Sequence, residues 1–344
     1  MSFRCNHFWI IVTLVALISG FAAGCSSTEE AGGKATKVTQ DGLTALSLPE
    51  VDPADLEGDR LQILATTSVI GDVISQVGGE AIELTVLMKP GQDPHSFEPT
   101  VGDLTAAAEA DVIFVNGWDL EEGLVADLEN VARDVPLVPI AAGIAPLAFG
   151  GHEEEAGQAQ HGADPHTWLD PHLVRQWVEN AEQMLADLDP AHAGEYAGNA
   201  SAYQAELEAL IAYYDQKVAQ IPAGRRKLVT NHDSLGYFAQ AYDFEVVGTV
   251  VPAASTLAEP SASDLAELLE AMEREGVCTL FAETTANEQL AETVASELGG
   301  CESVQVVTLY TGALGPAGSE ADNYLDMMRA NIDAIVSGLG SYPS

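Results

Sequence analysis

From Arg60 onward the chain alternates short apolar runs with amphipathic stretches. The runs LQILATT (61–67), IELTVLM (82–88), DVIFVNG (111–117) and PLVPIAA (136–142) read as strands. Helical periods lie between them near 69–77, 100–110 and 121–132. After Gly224 the pattern resumes with KLVTN, FEVVGTV, TLFAE and VQVVTLY, separated by helical periods near 234–242, 263–275 and 288–298. Continuous apolar strands alternating with helices imply parallel sheets covered on both faces. Two such series imply an α/β protein of two lobes, 59–189 and 222–344. Between them, Tyr196, Ala200, Tyr203, Leu207, Leu210, Ile211, Tyr214, Val218 and Ile221 follow steps of mostly three and four. This spacing predicts one helix over 190–221, with Pro190 in its first turn and Pro222-Ala223-Gly224 at its end. At 1.5 Å per residue it would be roughly 45 Å long, enough to act as a spine for both lobes.

The N-terminus reads differently. Arg4 and His7 precede an apolar run from Phe8 to Ile18, followed by Gly20, Ala22, Ala23, Gly24 and Cys25. The run falls short of the roughly 20 apolar residues that span a bilayer, so 1–24 is expected to be a signal peptide. Ala22-Ala23-Gly24-Cys25 is similar to a bacterial lipobox, which predicts lipidation at Cys25 and a body held outside the cytoplasmic membrane. Plain secretion, with Cys25 incidental, is the alternative. Residues 25–58, with little periodicity, are expected to form a flexible tether.

Composition adds one exclusion. There are 53 acidic residues against 13 basic ones, for a net charge of −40. Such a field repels nucleic acid and attracts cations without choosing among them. With Cys25 set aside, Cys278 and Cys301 each precede an apolar strand. They form a disulfide in an oxidising compartment or remain as two buried thiols.

The chemistry lies in the histidines. His95 follows the second strand in KPGQDPHSFEP, His166 lies in ADPHTWLDPH, and His232 closes the first strand of the second lobe in LVTNHDSLGYF. Loops at the carboxyl ends of parallel strands form the ligand crevice. Three imidazoles from three such loops suit zinc or copper better than calcium or magnesium. Asp-Pro-His occurs at 93–95, 164–166 and 170–172. In the third copy Asp170 fits a helix N-cap and Pro171 the first helical position, so His172 is read as structural. His192, opening the long helix, and His7 are set aside.

The segments PGQDPHSFEPTVGDL, ADVIFVNGWDLEEGL, DPHTWLDPH, VTNHDSLGYFAQAY, FAETTANEQLAETVASELG and ADNYLDMMRANIDAIV together resemble the metal-binding receptors of zinc and manganese ABC transporters, from about Leu61 to Leu339. The resemblance implies two α/β lobes bridged by one long helix, a metal held in the cleft with little hinge motion, and ligands at His95, His166 and His232. Histidine at the third position favours zinc (Zn2+) over manganese (Mn2+). The family's further carboxylate ligand has no counterpart, because Gly312 stands in the string Tyr310-Thr311-Gly312-Ala313. Water or Glu283 is left as the fourth ligand, and Asp322 is expected to cap the final helix. GGHEEEAGQAQHGAD (150–164), with His152 and His161, is similar to the acidic, His-bearing loop of zinc-type receptors; a mobile acidic loop without metal is the other reading.

The resulting expectation is a monomeric, lipid-anchored extracytoplasmic receptor that loads a transition metal into an ABC permease. A zinc-dependent hydrolase is the alternative, with Glu283 as base, although no HExxH motif is present. A surface adhesin on the same scaffold is a further reading. A chelate receptor would need a roomier pocket.

Overall fold

The structure, a computed structural model, describes residues 43–149, 162–253, 255–285, 288–301 and 303–340. The expected signal peptide, Cys25, residues 26–42, His152 and His161 lie outside them. The described residues fall within one compact unit.

The first lobe contains β1 (Leu61–Ala65), α1 (Ser68–Gly78), β2 (Ile82–Val86), α2 (Val101–Glu109), β3 (Val112–Val115), α3 (Leu124–Val131) and β4 (Leu137–Pro139). Its strands are parallel, in the order β2-β1-β3-β4. The second lobe contains β5 (Lys227–His232), α6 (Gly236–Tyr242), β6 (Glu245–Val251), α7 (Ala262–Glu275), β7 (Thr279–Glu283), α8 (Glu288–Glu297) and β8 (Gln305–Leu309). It repeats the parallel order as β6-β5-β7-β8. β3 and β7 are buried along their whole length, consistent with inner strands covered on both faces. Local chemistry sets the helix starts. Thr67 accepts from the Ile70 amide, while Thr100 with Asp103 and Ser261 with Asp264 form capping boxes.

Between the lobes lie α4 (Pro171–Leu188) and α5 (Ala193–Val218), and α9 (Tyr324–Gly340) ends the described chain. On α5, Tyr196, Ala200, Tyr203, Leu207, Leu210, Tyr214 and Val218 are buried. This face packs on α1 and α4 on one side and on α9 on the other. One hydrophobic cluster accordingly runs through both lobes, with smaller clusters on their outer faces. The helix begins at Ala193 rather than at Pro190. The Asp189 carboxylate accepts from Tyr196 Oη and contacts His192 Nδ1 at 2.6 Å, fixing 189–192 as the turn between α4 and α5.

The lobes are also bonded to each other directly. Trp168 Nε1 donates to the Thr311 carbonyl at 2.7 Å, and Tyr324 Oη donates to the Trp168 carbonyl at 2.8 Å. The Leu314 amide donates to Ser68 Oγ and the Gly91 amide to the Leu314 carbonyl.

Two expectations are corrected. Residues 43–58 are not a free tether: Leu43 is buried, and Leu46, Leu48, Val51, Ala54 and Leu56 pack on the main core. These five are partly buried, so each contributes less than the roughly 1.5–3 kcal/mol of a fully buried aliphatic side chain, but together they dock the segment. The cap at the last helix is Asn323, whose Oδ1 accepts from the Asp326 amide; Asp322 instead accepts from the Gly318 amide in the preceding loop.

Cys278 and Cys301 are bonded to each other, with Cα atoms 5.9 Å apart, tying the start of β7 to the segment before β8. Among the described residues no helix is long and apolar enough to cross a membrane.

Candidate metal centre

Each of the three histidines is placed by a short local device. The Asp93 carboxylate accepts from the His95 amide at 3.0 Å, and the Asp164 carboxylate from the His166 amide at 2.9 Å. Asp170 does the same for His172 at 3.0 Å. The repeated Asp-Pro-His is thus one turn used three times: aspartate folds back on the amide two residues ahead, and proline presets the intervening φ. Only two of the copies aim their imidazole into the cleft. His172 is about half exposed, with Nδ1 2.8 Å from Asp170, at the start of α4. His232 arrives differently, as the last residue of β5, in register with Val251 of β6.

His95, His166 and His232 converge. His166 Nε2 lies 3.2 Å from His95 Nε2 and 3.1 Å from His232 Nε2. All three residues are buried, at 4%, 1% and 2% exposure. Their ligand atoms lie within 4.8 Å of one another, and this is the group among the described residues that could hold a metal ion. Three imidazoles pointing one edge at a common point form a donor set for a cation once their Nε2 atoms carry no proton.

Behind the imidazoles stand carboxylates. Asp164 Oδ1 is 2.8 Å from His166 Nδ1, and Glu283 Oε1 is 2.6 Å from His232 Nδ1. Glu122 Oε1, 3.7 Å from His95 Nδ1, is nearby but beyond hydrogen-bond reach. A metal on Nε2 requires the proton on Nδ1, and a carboxylate there fixes that tautomer and raises the basicity of the ligand. Burial, together with the charge of His232, pushes the His95 imidazole down to about 4. Burial holds His166 well below the ordinary histidine value. For His232 burial also acts downward, but the Glu283 carboxylate outweighs it and holds the imidazole above its usual value. Burial would raise Glu283, yet the charge and hydrogen bond of His232, with the Thr311 hydroxyl, hold it low. Burial drives Asp164 well above the carboxylate range.

Glu283 therefore does not sit among the donor atoms. Its Oε1 also accepts from the His232 amide at 3.1 Å, and its Oε2 accepts from Thr311 Oγ1 at 2.7 Å. A carboxylate at the end of a strand can point forward into the cleft or sideways to a neighbouring strand, and spacing alone does not separate the two. The same bonds leave no free oxygen to act as a general base. At position 312, an ideal Cβ would lie 2.7 Å from Thr285 Oγ1, so Thr285 fills the space a side chain would enter. The roles of Asp164, Glu122 and Thr311 escaped the sequence reading. The one signal was the aspartate two residues before each histidine in the triplets.

The chain is similar to known proteins over nearly its whole length. A family profile described as the periplasmic component A of the zinc-uptake complex (ZnuA) matches residues 63–338. The chain belongs to this family. Its relatives include the manganese-binding lipoprotein MntA of Halalkalibacterium halodurans, 32% identical over 96% of this chain and 98% of the relative. The iron-binding protein YfeA of Yersinia pestis is 28% identical over 87% and 92%. Among solved structures, the periplasmic zinc-binding protein TroA of Treponema pallidum superposes with a TM-score of 0.72 at 30% identity, over 81% of this chain and 99% of that one. The expected two-lobed α/β fold is that of the family. The chain is a binding protein of the transport type rather than an enzyme, and the hydrolase reading is set aside.

Proposed function

We propose that this protein is the extracytoplasmic receptor of a metal ABC transporter, holding a divalent transition metal on the Nε2 atoms of His95, His166 and His232 and passing it to a permease. The convergence of three buried Nε2 atoms, two of them 3.1 and 3.2 Å from the third, carries this reading. The names of the relatives support it, covering manganese, iron and zinc binders.

Zinc is the proposed cargo over manganese. The donors are all nitrogen, and both carboxylates nearest to His166 and His232 are committed to the far ring nitrogens. Nitrogen donors favour zinc, whereas manganese favours oxygen, and divalent affinity rises from manganese towards zinc at such sites. Water completes a four-coordinate zinc. Lipidation at Cys25 keeps the body at the outer face of the cytoplasmic membrane, and docking on the permease parts the loops that carry the three ligands.

Competition titration of the soluble body with zinc and manganese tests the proposal. Stoichiometric zinc binding is expected, lost or weakened more than about a hundredfold in His95→Ala, His166→Ala and His232→Ala. A preference for manganese would keep the receptor and overturn the metal. Variants that bind as the parent does would remove the site.

A further inference from the structure

The segment before β1 lies outside the stretch that matches the family, which begins at residue 63, yet it is docked on the first lobe. It runs the length of that lobe. At one end Asp59 donates its amide to the Leu56 carbonyl just before β1, and the Ala54 amide donates to the Leu188 carbonyl at the end of α4. Residues 50–55 share a hollow with Asp111, Val135 and Pro136, at the amino ends of β3 and β4. At the other end the segment reaches loops at the carboxyl ends of the same strands. Trp118 Nε1 donates to the Thr44 carbonyl at 3.2 Å, and the Gly143 amide donates to the Leu46 carbonyl at 3.0 Å.

Both of those loops back the metal centre. The loop after β3 carries Glu122, beside His95 Nδ1, and Asn116, whose Nδ2 donates to the Pro165 carbonyl one residue before His166. It is a demanding piece of backbone, with φ of +101° at Gly117, +50° at Trp118 and +57° at Asp119. Left-handed residues other than glycine cost about 1–2 kcal/mol each and persist where surrounding contacts fix them. Leu46 supplies such a contact: a Cβ on Gly117 would lie 2.3 Å from Leu46 Cδ1, so the strap sits directly on that glycine. The loop after β4 continues from Gly143 to Leu147. There the Leu147 amide donates to Tyr237 Oη, Tyr237 Oη donates to the Asp164 carbonyl, and the Asp164 amide donates to the Leu147 carbonyl. Asp164 in turn holds His166.

We infer that residues 43–48 are a positioning strap for the metal centre, in which Thr44 and Leu46 hold the two loops that orient His95 and His166. The inference rests on the metal-receptor reading above. It assigns this segment a role in cargo affinity, separate from tethering and from bulk stability.

The test uses the full soluble chain with one substitution in the strap and one at the far end of the docked segment, outside it. Leu46→Asp is expected to weaken zinc binding about tenfold, the low end for losing a group behind a ligand, and to speed amide exchange at 116–123 and 140–147. Leu56→Asp, at the far end, is expected to lower the melting temperature by a similar amount with affinity unchanged. Leu46→Met should restore parental affinity. If Leu46→Asp fails to fold, Trp118→Phe, which deletes the donor to Thr44 and keeps the packing, is expected to show the same loss on a smaller scale. Equal loss of affinity in the two aspartate variants, or unchanged affinity in Leu46→Asp and Trp118→Phe, overturns the strap's role. A parent chain that binds no zinc overturns the metal reading instead, and the exchange rates of the two loops still decide whether the strap braces them.

Discussion

Burial acts on all three imidazoles in the same direction, and only at His232 does the carboxylate behind the ring outweigh it. His95 and His166 stay below the ordinary histidine value, while Glu283 keeps His232 above it. Of the three, His232 is consequently the imidazole that keeps its proton to the highest pH. That proton must leave when a metal binds to Nε2. Raised pKa values mean that protons compete more strongly as pH falls, so acid weakens binding. Zinc affinity is expected to fall by up to about tenfold per pH unit for this one proton once pH lies below the His232 pKa. Titrations between pH 8 and 5 check this, and a flat profile would contradict it. Glu283→Gln keeps the shape and removes the charge. It should cost about 10–100-fold in zinc affinity with the fold intact by circular dichroism.

At the scale of elements, α5 combines a buried face at helical spacing with glycines near its start. Its buried face follows helical spacing from Tyr196 to Val218, but Gly194 and Gly198 lie in its first two turns. Gly198 is exposed, and a Cβ there would meet nothing within 4 Å. Gly198→Ala is therefore expected to stabilise the protein by about 0.5–1 kcal/mol, through the reduced freedom of the unfolded chain. Thermal melting should show a small rise with zinc affinity unchanged. A fall would mean that the helix needs its glycine for a bend.

For the molecule as a whole, the dominant quantity is a net charge of −40. Among the described residues few of those charges are paired across space; on the surface Lys217–Asp333 and Lys227–Glu275 join neighbouring elements. Self-repulsion of this size destabilises a compact state, and salt screens it over a Debye length of about 10 Å at 0.1 M. The melting temperature of the metal-free protein is expected to rise from low ionic strength to about 0.5 M sodium chloride. The rate of zinc capture should fall over the same range, because the field that attracts cations is screened too. A melting temperature that drops with salt would show that specific ion pairs outweigh the repulsion. The lobes themselves are bonded through Trp168, Thr311 and Tyr324, so parting them for release means breaking buried hydrogen bonds.

Strand and helix periods are local properties, and they specified the two α/β lobes before any contact was known. The three ligand loops were legible for a related reason, since a histidine at the carboxyl end of a parallel strand has few places to go except the crevice. The sequence could not say which Asp-Pro-His copy turns inward. The turn is the same in all three, and only the packing of α4 puts His172 at the surface. Nor could it say that Glu283 faces the Nδ1 of His232, because the pairing of β5 with β7 brings together side chains 51 residues apart. Residues 43–58 show no period because a docked strap follows the lobe beneath it instead of a helix or strand. Its apolar side chains acquire their role only when the surface they cover exists. Spacing along the chain is set by covalent geometry and can be read directly. Which atoms meet across the fold is set by packing, and that was decided by the tertiary structure.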